Sequence, residues 1–181
     1  SAQMLSHTWN IGLAKKMGEA IANDCAENGV DIILGPAVNI KRLPICGRNF
    51  ENFSEDPYLA GELSCALVNG VQSRNVGVSV KHFAANSQEL RRMASDSVGD
   101  ERTLREIYLP AFKAAVTEGG AWSIMGAYNL YKDQHNCTNQ YLLNDILKEE
   151  WGFDGVVVSD WGGAHDMDQA IKNGLDMEFG T

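Results

Sequence analysis

Three features of the sequence together predict an α/β fold of parallel strands. Short Val- and Ile-rich runs alternate with helical patterns, polar residues crowd directly after those runs, and no hairpin signal separates them. The runs span 31–40, 76–83, 123–129, 155–161 and 174–179, each short and apolar enough for a strand buried on both faces. Strand, helix and strand in succession imply right-handed crossovers and parallel pairing. A closed (β/α)8 barrel and a doubly wound open sheet both satisfy that order. The open sheet usually carries a Gly-rich phosphate turn, and neither GxGxxG nor GxxxxGK followed by Ser or Thr occurs here. The expected architecture is therefore a TIM-type barrel. It is an incomplete one, because 181 residues fall short of the roughly 250 that a whole barrel needs.

Helical patterns fill the intervals at 10–28, 57–73, 101–118, 140–150 and 164–172. In the third, Leu104, Ile107, Tyr108, Ala111, Phe112 and Ala115 recur at three- and four-residue spacing, an apolar stripe to lay on a sheet, while Glu101, Arg105 and Lys113 take the other face. The whole chain, 1–181, reads as one partial domain with pieces expected both upstream and downstream. With only five of eight strands and open sheet edges, the chain by itself is expected to be inactive and prone to self-association.

Composition narrows the partners. A hydrophobic content of 44% suits a globular core, and a net charge of −9 argues against nucleic acid and anionic membrane, both of which attract basic surfaces. Cys25, Cys46, Cys65 and Cys137 lie far apart without CxxC spacing, so buried free thiols are the expectation. The opening residues lack a basic and then apolar leader, and no apolar run reaches membrane-spanning length; this leans towards the cytoplasm without fixing a compartment.

The chemistry-bearing residues stand at strand ends, where parallel α/β folds place their sites. In Val156-Val157-Val158-Ser159-Asp160-Trp161-Gly162-Gly163, three β-branched residues run into a carboxylate, an aromatic ring and two glycines. Asp160 can be a helix N-cap or a catalytic acid, and Trp161 beside it favours the second, since the C–H face of a sugar stacks on an aromatic ring. At Ser79-Val80-Lys81-His82-Phe83, two polar residues end an apolar strand, where strict alternation would send them to opposite faces. His82, Asp160, His165, Asp166 and Asp168 are also a conceivable zinc or manganese set, but the last three fall at a helix start, where Asp commonly offsets the macrodipole; no metal or other cofactor is expected.

These stretches, taken in order, resemble family 3 of the glycoside hydrolases, whose best-known members are β-glucosidases. Gly47-Arg48-Asn49-Phe50-Glu51 with Ser54-Glu55-Asp56-Pro57, Lys81-His82-Phe83 with Asn86-Ser87-Gln88-Glu89 and Arg92, Met125-Gly126-Ala127-Tyr128-Asn129, and Ser159-Asp160-Trp161 match four of its signatures in register. The resemblance implies that Asp160 is the glycosidic nucleophile and that Arg48, Lys81, His82 and Arg92 hold the hydroxyls of a terminal sugar. It places Tyr128 beside the nucleophile and makes Met125 and Trp161 walls of the subsite. It further implies a retaining hydrolysis of terminal β-D-glucosyl residues in the full-length parent, with a β-glucoside or short β-gluco-oligosaccharide as substrate. A missing domain beyond Thr181 would supply the acid/base glutamate, and a hydroxyl-clamping Asp would lie upstream of Ser1. The family's N-acetylglucosaminidases carry a His shortly after Lys-His-Phe; here Ala84, Ala85 and Asn86 follow, which points to the glucosidase side. Xylosidase-type specificity, a non-catalytic sugar-binding or structural remnant, and a metal-dependent barrel hydrolase are the competing readings.

Overall fold

A computed structural model describes residues 1–180. The chain runs α1 (Ala2–Ser6), α2 (Ile11–Glu27), β1 (Ile32–Ile33), α3 (Pro57–Gln72), β2 (Gly77–Phe83), β3 (Asp96–Ser97), α4 (Glu101–Thr103), α5 (Pro110–Thr117), β4 (Ser123–Gly126), β5 (Leu130–Tyr131), β6 (Gln134–His135), β7 (Val156–Val158) and α6 (Met167–Lys172). A π-helical stretch, Leu104–Tyr108, joins α4 to α5, and a longer one, Tyr141–Glu150, precedes β7. Strands β1, β2, β4 and β7 lie side by side in that order and pair in parallel throughout, so the expected barrel-type α/β sheet is present as an arc.

All five expected strands are shorter than their apolar runs, and the first and last shrink most. Only Ile32–Ile33 forms a ladder in the first, and the chain rejoins the sheet at one bridge, Ala37 to Lys81, where the Val38 N–H donates to the Lys81 carbonyl at 2.8 Å. The run at 174–179 is reduced to a bridge between Val158 and Met177, supported by the N–H groups of Asp176 and Met177 donating to the Val157 carbonyl. It keeps the position of a fifth strand without the length of one.

The long helix expected over 101–118 is broken in the middle. Pro110 has no N–H and its ring clashes with a carbonyl four residues back, so the preceding turn widens and the Leu109 N–H reaches the Leu104 carbonyl, five residues earlier, at 3.0 Å. The extra residue per turn takes Ile107 off the apolar stripe. It is exposed, whereas Leu104, Ala111, Phe112 and Ala115 are buried as expected.

A hairpin that the sequence did not announce follows β4. β5 pairs antiparallel with β6 through Lys132 and Asp133, both at positive φ, and pairs parallel with β3. Such a turn normally advertises itself with Asn-Gly or Asp-Gly; Lys-Asp carries no such mark. This small sheet is tied to the C-terminal end of β2: the Asn129 and Asn136 side-chain amides both donate to the Ala84 carbonyl, and the Ser97 hydroxyl donates to that of Ala85. It thereby fixes the loops that carry the polar residues.

On the outer layer α2 crosses α3 with their backbones in contact. A Cβ at Gly18 would meet the Leu67 carbonyl oxygen at 2.4 Å, and one at Gly70 would meet that of Lys15 at 2.2 Å, so both glycines are required by the approach. Behind this layer Leu63, Val68, Val78, Val80, Phe112 and Ile124 form a single core with no exposed surface. Each side chain of that kind contributes about 1.5–3 kcal/mol on burial.

Candidate active site

β7 is a run of β-branched residues that ends at Ser159, and the chain then turns sharply. Gly162, at φ +65°, allows the turn, and its N–H donates to the Phe179 carbonyl while the Ser159 hydroxyl accepts from the Phe179 N–H. Asp160 is left at the C-terminal end of the strand, only 8% exposed. One carboxylate oxygen accepts the Trp161 N–H at 2.8 Å. The other lies 3.6 Å from Nε2 of His82.

His82 and Lys81 both reach this point because β2 breaks its register. Lys81 pairs with Met125 and Phe83 with Gly126, so two steps on β2 meet one on β4, and the alternation that would have separated the two side chains is lost. Asn39 fixes the irregular stretch. Its amide donates to the His82 carbonyl and its oxygen accepts the His82 N–H, each at 2.9 Å. Sequence reasoning gave Asn39 no role; its signal was a lone polar residue inside the apolar run 36–40.

Arg48 begins the 3₁₀ turn Asn49–Glu51, and its Nε–H donates to Oε1 of Glu51, whose Oε2 is 3.8 Å from the Lys81 ammonium. Arg92 donates to Glu89 at 2.9 Å and stacks over the Tyr128 ring at 4.5 Å. Tyr128 is buried beside Asp160; burial first, and then the carboxylate charge, raises its phenol above the ordinary value. Arg48, Lys81, His82, Arg92, Tyr128 and Asp160 thus lie in one cluster. Met125 lies in register between Lys81 and Val158 and is 1% exposed, so it supports the floor of this cluster. Trp161 is half exposed, with its ring 5.0 Å from that of Phe179. Glu51 and Glu89 belong to the motifs but were not singled out; each proves to be committed to an ion pair with a cation of the site.

The electrostatics fix the protonation state of His82. Burial, and then the charges of Arg48, Lys81 and Arg92, push His82 down to about 2. Asp160 at 3.6 Å would favour the imidazolium, but three cations and desolvation outweigh one carboxylate, and His82 stays neutral. Burial lowers Lys81, with Glu51 opposing that shift, and Arg48, despite its burial, is held above its ordinary value by Glu51, Glu89 and Asp160. Behind the turn at Asp160 the Cys137 thiol is raised to about 12 by burial and sits where it would touch a Cβ on Gly126. Asp166 caps α6 through the Gln169 N–H, and His165 stacks on His135 at 4.0 Å. Among the described residues no three His, Cys, Asp or Glu side chains converge as a metal site. A cavity of about 440 Å³ lies between Asn86, Asp96, Asn129 and Tyr131 and does not include Asp160. The charged groups converge instead at the C-terminal ends of β2 and β7.

A parallel α/β barrel-type sheet that gathers a buried carboxylate and several cations at the C-terminal ends of its strands has the layout of a barrel-domain active site. The family model described as "Glycosyl hydrolase family 3 N terminal domain" matches residues 1–179, and the chain belongs to that family. It is 50% identical over its whole length to thermostable beta-glucosidase B of Acetivibrio thermocellus and 51% identical, over 97% of the chain, to an exo-alpha-(1->6)-L-arabinopyranosidase of Bifidobacterium longum. It spans about a quarter of the length of these curated relatives, 24% and 23%. Among solved structures, the GH3 beta-glucosidase of Bifidobacterium adolescentis superposes with a TM-score of 0.95 at 47% identity, over 99% of this chain and 27% of that one. Beta-glucosidase 3B of Thermotoga neapolitana in complex with alpha-D-glucose gives 0.96 at 46% identity, over 97% and 25%.

Proposed function

We propose that this chain carries the nucleophile half of a retaining β-glucosidase site that removes terminal, non-reducing β-D-glucosyl residues. The observation that carries the reading is the placement of Asp160, held by the Trp161 N–H on one oxygen and faced by neutral His82 on the other, inside a ring of Arg48, Lys81 and Arg92. In the first step an Asp160 oxygen forms a bond to the anomeric carbon while the bond to the leaving oxygen breaks, and a second carboxyl gives that oxygen its proton. In the second step water attacks the same carbon, the acid takes back a proton, and Asp160 is released. Long cationic donors fork onto vicinal hydroxyls and hold the ring in place, the Asp160 carboxylate beneath C1 stabilises the oxocarbenium-like transition state, and Trp161 offers a C–H stacking face. The second carboxyl must lie about 5 Å from Asp160. Glu51 and Glu89 are tied to the site's own cations, and we assign the acid/base glutamate to a part of the protein outside these 181 residues.

A second reading concerns the sugar. The arabinopyranosidase relative is as similar as the β-glucosidase one, so α-L-arabinopyranosides stand beside β-D-glucosides, and β-D-xylosides, which lack the hydroxymethyl group, form a third class. Comparing kcat/KM for the three aryl glycosides with the full-length protein decides among them. NMR of the first-formed anomer tests retention. Preference for the glucoside with retained configuration is the expected result; no turnover of any of the three would remove the reading in favour of a non-catalytic sugar-binding domain.

A further inference from the structure

We infer that Glu51 is a positioning residue: its carboxylate divides between Arg48 and Lys81 and holds both cations in the one orientation from which they can grip adjacent sugar hydroxyls. This rests on the glycosidase reading of the same site. The geometry starts from the 3₁₀ turn Asn49–Glu51, where residues three apart eclipse, so Glu51 falls directly along the Arg48 side chain. Its Oε1 takes the Arg48 Nε–H, which leaves the terminal guanidinium nitrogens available to a ligand, and its Oε2 stands 3.8 Å from Nζ of Lys81. All three side chains are mostly buried, at 25%, 21% and 17% exposure for Arg48, Glu51 and Lys81, so neither cation can be steadied by bulk water instead.

The turn itself is anchored. The Asn52 amide donates to the Arg48 carbonyl, that of Asn49 donates to the Leu43 carbonyl, and Phe53 is buried directly after. Both cations also feel Asp160, whose charge would draw them in if Glu51 did not compete for them. Glu51 is thus the counter-ion that keeps two donors spread around the subsite. A point donor and a planar fork held by one carboxylate have a fixed separation, which suits recognition of a particular pair of hydroxyls.

The test uses the full-length protein, with Glu51→Gln, which keeps shape and removes charge, and Glu51→Asp, which keeps charge on a shorter stem. Glu51→Gln should lower kcat/KM for an aryl glycoside by about tenfold or more, with kcat falling as well as KM rising, and Glu51→Asp should recover part of it. Independently of turnover, the pH midpoint for acetylation of Lys81 by acetic anhydride, followed by mass spectrometry, should drop by about half a unit or more in Glu51→Gln, because the ammonium loses its nearest counter-charge. An active wild type with Glu51→Gln within about twofold of it, or an unmoved Lys81 midpoint, overturns the inference. An inactive wild type overturns the glycosidase reading instead, and the Lys81 midpoint still decides the positioning one. If Glu51→Gln melts early, Glu51→Asp decides it by turnover alone: with the charge kept and its reach shortened, kcat/KM should still fall severalfold with kcat lowered, and an unchanged kcat/KM overturns the inference.

Discussion

Nε2 of His82 lies 3.6 Å from Oδ2 of Asp160, beyond hydrogen-bond reach but beside a carboxylate that would favour the imidazolium. Burial and three neighbouring cations nevertheless keep the imidazole neutral, with its pKa down at about 2 against an ordinary 6.5. His82 therefore faces the carboxylate as a neutral ring.

That difference makes folding pH-dependent in a definite direction. Above pH 6.5 His82 is neutral in both states and its contribution is complete; between 6.5 and about 2 the unfolded chain takes a proton that the folded chain refuses. Stability should therefore fall on acidification by about 1.4 kcal/mol per pH unit from this residue alone. Urea midpoints at pH 7, 6 and 5 should show the slope in the wild type and a shallower one in His82→Gln. Equal slopes would mean that His82 titrates normally.

Lys81→Ala and Arg92→Ala should each cost about 2–4 kcal/mol in transition-state binding, read from kcat/KM of an aryl β-glucoside, since each strips a charged donor from a sugar hydroxyl. A change confined to KM would contradict the assignment. Lys81→Arg should not rescue, because a planar fork cannot take the place of a compact ammonium already aligned on Glu51.

Gly70→Ala tests the helix crossing. Alanine gains about 1 kcal/mol of helix propensity over glycine, but its methyl would sit 2.2 Å from the Lys15 carbonyl oxygen, and overpacking against backbone costs about 1–3 kcal/mol or more. The net effect should be a lower thermal midpoint. Gly12→Ala, on the same α2 with only Asn10 Oδ1 at 3.4 Å, should be neutral or mildly stabilising. If both variants behave alike, the close crossing of α2 and α3 is wrong.

The parallel order and the strand-end cluster were legible because both follow from local pattern: Val residues mark β2 and β7, a short apolar stretch marks β4, and polar residues that end such runs must lie at the sheet's mouth. Arg48 and Arg92 sit in loops with no periodicity, and only the family signatures pointed to them. The hairpin of β5 and β6 was hidden because Lys132 and Asp133 adopt positive φ without glycine, under tertiary constraint. Register is likewise non-local. The skip between Lys81 and Phe83 depends on the partner strand β4, and no reading of Lys81-His82 alone could decide whether the two side chains part or converge. Glu51 was visible as a letter of a motif, but its double ion pair joins residues thirty positions apart.

The most direct test of the account is covalent. A 2-deoxy-2-fluoro glucoside with a good leaving group forms the glycosyl-enzyme and slows its hydrolysis, so the attacking carboxylate keeps the sugar. Digestion and mass spectrometry of the labelled full-length protein should find one fluoroglucosyl group on the peptide containing Asp160, with Asp160→Asn unlabelled, folded as judged by its melting curve, and reduced in kcat by well over tenfold, a loss above ~1.4 kcal/mol. Label on any other carboxylate, or an Asp160→Asn variant retaining more than about a tenth of wild-type kcat, would contradict the assignment of Asp160 as the nucleophile.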